Sequence, residues 1–212
     1  MDLSARLGGA RLYGILDLGY VTEERIESVC GDLLRGGVDV LQLRAKGHAK
    51  SQIAAWARTV APLCHDHDVP FIVNDHVEIA AEVGAGLHLG QDDGALDDAR
   101  RILGPDSLVG RSTHSVAQAR AALEEGADYI GFGPLFPTPT KEGRPGIGTA
   151  DISEVESSVG VKIPVFCIGG IKRSNLELVL GAGARRVVIV SGLLQAEEIA
   201  AHCAEVRSLL AD

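Results

Sequence analysis

"PFIVNDHVEIAAEVGAGLHLGQDD", residues 70–93, sets the pattern that the rest of the chain repeats. A short apolar run, Pro70 to Asn74, leads into an amphipathic segment and then a second apolar run, Gly86 to Gly90. Each run ends in polar residues: Asn74 and Asp75 after the first, Asp92 and Asp93 after the second. Pro70 suits a stop to whatever helix comes before, and Gly86 sits where a left-handed helix cap is expected. Continuous apolar runs of this length fit strands buried on both faces, as in a parallel sheet.

The same alternation extends in both directions. Strand-like runs are "RLYGILD" (11–17), "VDVLQLR" (38–44), "PFIVN" (70–74), "GLHLG" (86–90), "SLVGRS" (107–112), "DYIGFG" (128–133), "PVFCIGG" (164–170) and "RRVVIVS" (185–191). Between the first two, Ile26, Val29, Cys30, Leu33 and Leu34 share one helical face. Glycine or proline stands near the start of most strands, at Gly37, Pro70, Gly86, Gly126 and Pro164. Eight strand–helix units in 212 residues predict a compact α/β chain, one (β/α)8 TIM barrel over residues 1–212. An open doubly wound sheet is the competing arrangement, but no G-x-G-x-x-G follows the first strand.

Bulk properties narrow the function. Apolar residues make up 46% and charged residues 23%, enough for a sizeable core. The net charge of −9 argues against nucleic acid or an anionic membrane as the main partner. With no run long enough for a membrane span and no signal-peptide core in "MDLSARLGGARL", a cytoplasmic location is expected. Cys30, Cys167 and Cys203 sit in apolar patterns and predict buried, reduced thiols. "CHDH", Cys64 to His67, offers metal-ligand types, but it precedes a strand and so lies at the wrong end for a barrel's site; a solvated helix terminus is expected instead.

In this fold, functional groups gather at the C-terminal ends of strands. After strand two, Gln42, Arg44 and Lys46 alternate and are expected to point to one side. Asp75 and Asp93 follow neighbouring strands, which suits Mg2+ shared with substrate phosphates; helix capping is the structural alternative. Ser112 and His114 follow strand five. The loop "GPLFPTPTKEGRPGIG" (133–148) after strand six sets Thr138, Thr140 and Lys141 among prolines, a stiff donor surface for an oxyanion-rich ligand. Gly169, Gly170, Ser191 and Gly192 close strands seven and eight, the usual monophosphate site of this architecture.

With "LQLRAK", "GRSTHS", "GADYIGFGPLFPTPTK", "PVFCIGGI" and "VSG" alongside the opening stretch, nearly the whole chain resembles the thiamine-phosphate synthase family. The resemblance implies a Mg2+-dependent transferase that joins hydroxymethylpyrimidine pyrophosphate to a thiazole phosphate and releases pyrophosphate. A homodimer is compatible with it. By motif, Gln42, Arg44 and Lys46 would contact the pyrimidine and its pyrophosphate, and Asn74 the same region. Asp75 and Asp93 would hold the metal, and Ser112 would lie beside the reacting centre. Thr138 and Thr140 would meet the thiazole half, Lys141 the pyrophosphate, and Gly170, Val190 and Ser191 the thiazole phosphate. Ala45 and His76 depart from the family's usual acidic residue and arginine, and "ILDLGYV" departs from its usual Thr-Asp ending. A related thiazole tautomerase, which would use His114, and a non-catalytic phosphate-ligand sensor are the competing functions. Both fit the retained metal and leaving-group residues less well.

Overall fold

The computed structural model describes residues 3–138 and 146–210. Among them, eight parallel strands close into a barrel in sequence order. These are β1 (Leu12–Asp17), β2 (Val40–Arg44), β3 (Phe71–Asn74), β4 (Gly86–Leu89), β5 (Val109–Thr113), β6 (Tyr129–Phe132), β7 (Val165–Ile168) and β8 (Val187–Ile189). Helix α1 (Leu3–Gly9) precedes β1. The connecting and terminal helices are α2 (Ile26–Arg35), α3 (Lys50–Asp66), α4 (Val77–Val83), α5 (Leu96–Leu103), α6 (Val116–Glu124), α7 (Ile152–Ser158), α8 (Arg173–Gly181), α9 (Ser191–Leu194) and α10 (Ile199–Leu209). The expected (β/α)8 barrel is therefore the fold, and no described helix is long and apolar enough to cross a membrane.

Two apolar layers follow from strand alternation. Residues facing outward from the strands meet the helices; Leu12, Leu41, Val73 and Leu87 join Ile26, Leu33, Trp56 and Val60 there. Residues facing inward form a separate cluster of Tyr13, Ile15, Val40, Ile72, Leu108, Tyr129, Phe166 and Val188. Leu7 and Ala10 join that inner cluster and close the barrel's N-terminal end. Three rings fill the middle: Phe166 meets Tyr13 and Tyr129 edge-on, with centroids 5.2 and 5.9 Å away. Space for them comes from missing side chains: a Cβ on Gly110 would lie 2.2 Å from the Tyr129 ring.

Two local expectations need correction. Gly86 is not the helix cap; Gly84, at φ 65°, ends α4, while Gly86 lies inside β4, where a Cβ would meet Ile72 and the Leu108 carbonyl. Cys64 is not solvated with the rest of "CHDH" but buried like the other three cysteines. His65, Asp66 and His67 are exposed, and no group of three metal-ligating residues occurs among the described residues. Burial pushes the Cys167 and Cys203 thiols up to about 12, so both behave as packing groups.

The Gly110–Tyr129 contact is testable. Gly110→Ala should destabilise the chain by about 3 kcal/mol or more, the upper range for overpacking. Adding Tyr129→Leu should recover part of that loss in urea denaturation, because it removes the clashing ring.

Candidate active site

The C-terminal ends of the strands open into a cavity. Tyr13, Tyr129 and Phe166 contribute its aromatic lining. Strands β2 to β5 contribute Gln42, Arg44, Asn74, His88 and Ser112; Gly169, Gly170, Val190 and Ser191 follow β7 and β8. Thr138 is also at the wall. Thr140 and Lys141 lie outside the described residues.

A chain of hydrogen bonds crosses the barrel beneath this cavity. Gln42 Nε2 donates to the Tyr13 hydroxyl at 2.9 Å, and the Tyr13 and Tyr129 hydroxyls lie 3.1 Å apart. The Tyr129 hydroxyl is 3.2 Å from His88 Nδ1, and His88 Nε2 is 3.0 Å from Ser112 Oγ. With Gln42 donating, one polarity satisfies every member. Tyr13 donates to Tyr129, Tyr129 to His88 Nδ1, and the Nε2–H to Ser112. Ser112 is then left with its own O–H to offer to a ligand. Burial raises the pKa of both tyrosines, which keeps them as hydroxyl donors.

Arg44 and Lys46 do not act as a pair. Asp17 and Arg44 are strand neighbours, and Arg44 Nη1 lies 2.6 Å from Asp17 Oδ2. Asp17 is almost fully buried, so Arg44's charge is matched within the protein. Strand β2 ends at Arg44, so Lys46 leaves the alternation expected of it and stands in the following turn. It lines a shallower recess with Asn74, Asp75 and His76, its Nζ 3.5 Å from Asp75 Oδ2.

Asp75 and Asp93 come together beside that recess. Neither caps a helix, since the N-cap positions are His76 and Ala95. Asp75 has φ 64° and its N–H donates to the His88 carbonyl at 3.0 Å, while Asp93 Oδ2 accepts from Gly90 N–H at 2.7 Å. Burial raises the Asp75 carboxyl above its ordinary range. Lys46 opposes this, and the hydrogen-bonded Asp93 carboxylate adds to it. Two neighbouring carboxylates favour a proton or a cation between them. With no third His, Cys, Asp or Glu in a cluster among the described residues, the donor set fits a hard cation completed by substrate oxygens and water, as Mg2+ is bound.

Across the mouth, Gly169 and Gly170 have φ 101° and 65°. Their smallness serves packing as well as any ligand: a Cβ on Gly169 would lie 2.4 Å from Pro134, and one on Gly170 2.7 Å from Phe136. The stem of the long β6 loop is thereby pinned to β7, with Leu135 N–H on Ile168 O at 2.8 Å and Phe136 N–H on Gly169 O at 3.0 Å. His114, the residue a tautomerase would use, is not in the cavity lining; its Nδ1–H donates to the Gly133 carbonyl.

The geometry agrees with the comparisons. The thiamine monophosphate synthase family model matches residues 12–193. The chain belongs to the thiamine monophosphate synthase family. A thiamine-phosphate synthase of Halalkalibacterium halodurans is 42% identical over 195 residues, covering 91% of this chain and 92% of the relative. One from Thermus thermophilus is 46% identical over 166 residues, covering 78% and 79%. A solved thiamine phosphate pyrophosphorylase from Pyrococcus furiosus superposes with a TM-score of 0.86 at 31% identity over 97% of each chain. Members of this family are transferases that condense hydroxymethylpyrimidine pyrophosphate with a thiazole phosphate.

Sequence reasoning missed His88, Tyr13, Tyr129 and Asp17. For His88 a signal existed, a polar residue in the middle of "GLHLG" and opposite Asn74 in register. Tyr129→Phe, which cuts the hydrogen-bond chain, should cost about 1–3 kcal/mol in urea denaturation by leaving buried partners unpaired. It should also lower turnover by loosening Ser112.

Proposed function

We propose that the cavity and the recess beside it are where this chain carries out the family's condensation, as one catalytic barrel domain over residues 1–212. The observation that carries the reading is the contact between the Asp75 and Asp93 carboxylates next to Lys46, at the edge of a cavity lined by hydrogen-bonding and aromatic groups. Asp75 and Asp93 would hold Mg2+, which when bound neutralises charge on the leaving pyrophosphate. Lys46, Asn74 and Arg44 hold the pyrophosphate of the pyrimidine substrate, and Lys141 joins them on the strength of sequence and resemblance. Gln42 and Ser112 face the pyrimidine ring, with the Ser112 hydroxyl oriented by His88. Gly170, Val190 and Ser191 hold the thiazole phosphate, with Thr138 and Thr140 toward the thiazole.

The chemistry that suits these groups is dissociative. The bond between the pyrimidine methylene and the pyrophosphate oxygen breaks, its electron pair leaving with the pyrophosphate. Electrons from the pyrimidine nitrogens support the methylene cation, and the thiazole nitrogen lone pair then forms the new C–N bond. The protein's part is to hold both partners and stabilise the leaving anion, which needs no nucleophilic side chain. Ile15, Phe166 and Ile168 give the cavity apolar walls that keep water from capturing the cation. The enzyme would be cytoplasmic, bind neither nucleic acid nor membrane, and tolerate assembly as a homodimer.

Steady-state kinetics in the coupling direction test these roles. Asp75→Asn and Asp93→Asn should each raise the Mg2+ concentration needed for half-maximal rate while leaving the fold intact by circular dichroism. Lys141→Ala should lower kcat by roughly 10²-fold, the scale of losing one preorganised charge-stabilising donor, with little change in KM for the thiazole phosphate. Unchanged metal dependence in both aspartate variants would contradict the assignment of the metal site.

A further inference from the structure

Arg111 does not touch the cavity, yet its guanidinium is among the most buried charges described, with its side chain 5% exposed. It lies in β5 between Gly110 and Ser112, which face the barrel interior, so its own side chain points outward toward the β4–α5 loop. There Nη1 donates to the Gly90 carbonyl at 2.6 Å and Nη2 to the Gly94 carbonyl at 2.8 Å. These are lengths of charge-assisted bonds. The nearest carboxylate, Glu125, is 3.4 Å from Nη2 and 53% exposed, a weak counter-charge for a buried cation. The two loop carbonyls are therefore what chiefly compensates the desolvated guanidinium.

Those carbonyls bracket the segment that carries Asp93. Within it, Gly90 N–H holds Asp93 Oδ2 at 2.7 Å. A further tether comes from the adjacent β5 residue, whose Ser112 carbonyl accepts from Gln91 Nε2 at 2.6 Å. Two consecutive residues of β5 thus fix the loop at both ends and at Gln91. A protein that needed only a connection between β4 and α5 could leave these carbonyls to water. Burying a guanidinium to hold them is expensive, and the return is a fixed position for the Asp93 carboxylate.

We propose that β5 is a clamp for the metal-holding loop, with Arg111 as the positioning residue for Asp93. The proposal rests on the assignment of Asp75 and Asp93 as metal ligands. Mg2+ demands near-octahedral geometry at short distances, so a carboxylate that drifts loses the ion even if it stays nearby. Arginine is required for its shape: the planar fork spans the two carbonyls, which a single lysine ammonium cannot do.

The test is Mn2+ binding to the full chain, followed by calorimetry and by the electron paramagnetic resonance of free Mn2+, with inorganic pyrophosphate present. Arg111→Lys keeps the charge and should weaken Mn2+ binding by about 10-fold or more, the usual effect of losing a group that orients a metal ligand. Gln91→Ala, at an exposed position, should weaken it less but measurably. Turnover of Arg111→Lys should rise toward that of the parent chain as Mg2+ is increased, with KM for the thiazole phosphate unchanged. A purely structural arginine would lower thermal stability without this metal-dependent recovery. Parental Mn2+ affinity in Arg111→Lys and Gln91→Ala, with binding lost in Asp93→Asn, would overturn the clamp and leave the metal site standing. Parental affinity in Asp93→Asn would overturn the metal site, and the clamp with it. Should Arg111→Lys fail to fold, Gln91→Ala decides, and parental Mn2+ affinity there overturns the proposal.

Discussion

The Asp75 and Asp93 carboxylates lie close enough to interact, with Lys46 3.5 Å from Asp75. Each is held by backbone that has little freedom to retreat: Asp75 through its N–H on the His88 carbonyl, Asp93 through Gly90 N–H on its own oxygen. Lys46 opposes the burial-driven rise in the Asp75 pKa but is itself more than half exposed, so it cannot fully compensate two carboxylates. A site built this way would suit a divalent cation and, through it, a phosphate-bearing ligand. The glycines after β7, with Val190 and Ser191, sit on the other side of the barrel and can serve a second anion without competing for the same ion.

Charge economy distinguishes Arg44 from Lys46. The overall net charge is −9, so local cations must do the work of anion binding. Arg44 is half-buried and paired with the buried Asp17, and is better described as a fixed donor than as a free charge. On the proposed reading, Lys46 and, from the sequence, Lys141 would meet the growing negative charge of a leaving group. A similar division applies to the histidines. His88 joins the hydrogen-bond chain from Gln42 to Ser112, whereas His114 is engaged by the Gly133 carbonyl outside the cavity lining.

The barrel was legible in the sequence because its signal is local. Eight short apolar strands separated by amphipathic segments leave few alternatives, and strand polarity then points to Asn74, Asp75, Asp93 and Ser112. What was not legible depends on distant pairs or on where a strand stops. Tyr13 and Tyr129 are 116 residues apart in sequence and meet only once the barrel closes. Lys46 was expected to share a face with Gln42 and Arg44, but alternation ends with β2. Gly86 was given a capping role because glycine before a strand usually caps a helix, whereas here the steric demand comes from the two flanking strands, from Ile72 in β3 and Leu108 just before β5. Gly169 and Gly170 drew notice as phosphate-binding residues, yet the close passage of Pro134 and Phe136 already requires glycine at both.

The central claim is that this barrel couples two phosphorylated halves through a metal held by Asp75 and Asp93. Incubating the purified chain with hydroxymethylpyrimidine pyrophosphate, thiazole phosphate and Mg2+, and quantifying thiamine phosphate and pyrophosphate by chromatography, tests it directly. Equal amounts of both products, lost on adding EDTA and restored by excess Mg2+, are the predicted result. A folded chain that forms no thiamine phosphate, or forms it at full rate in EDTA, would contradict the account.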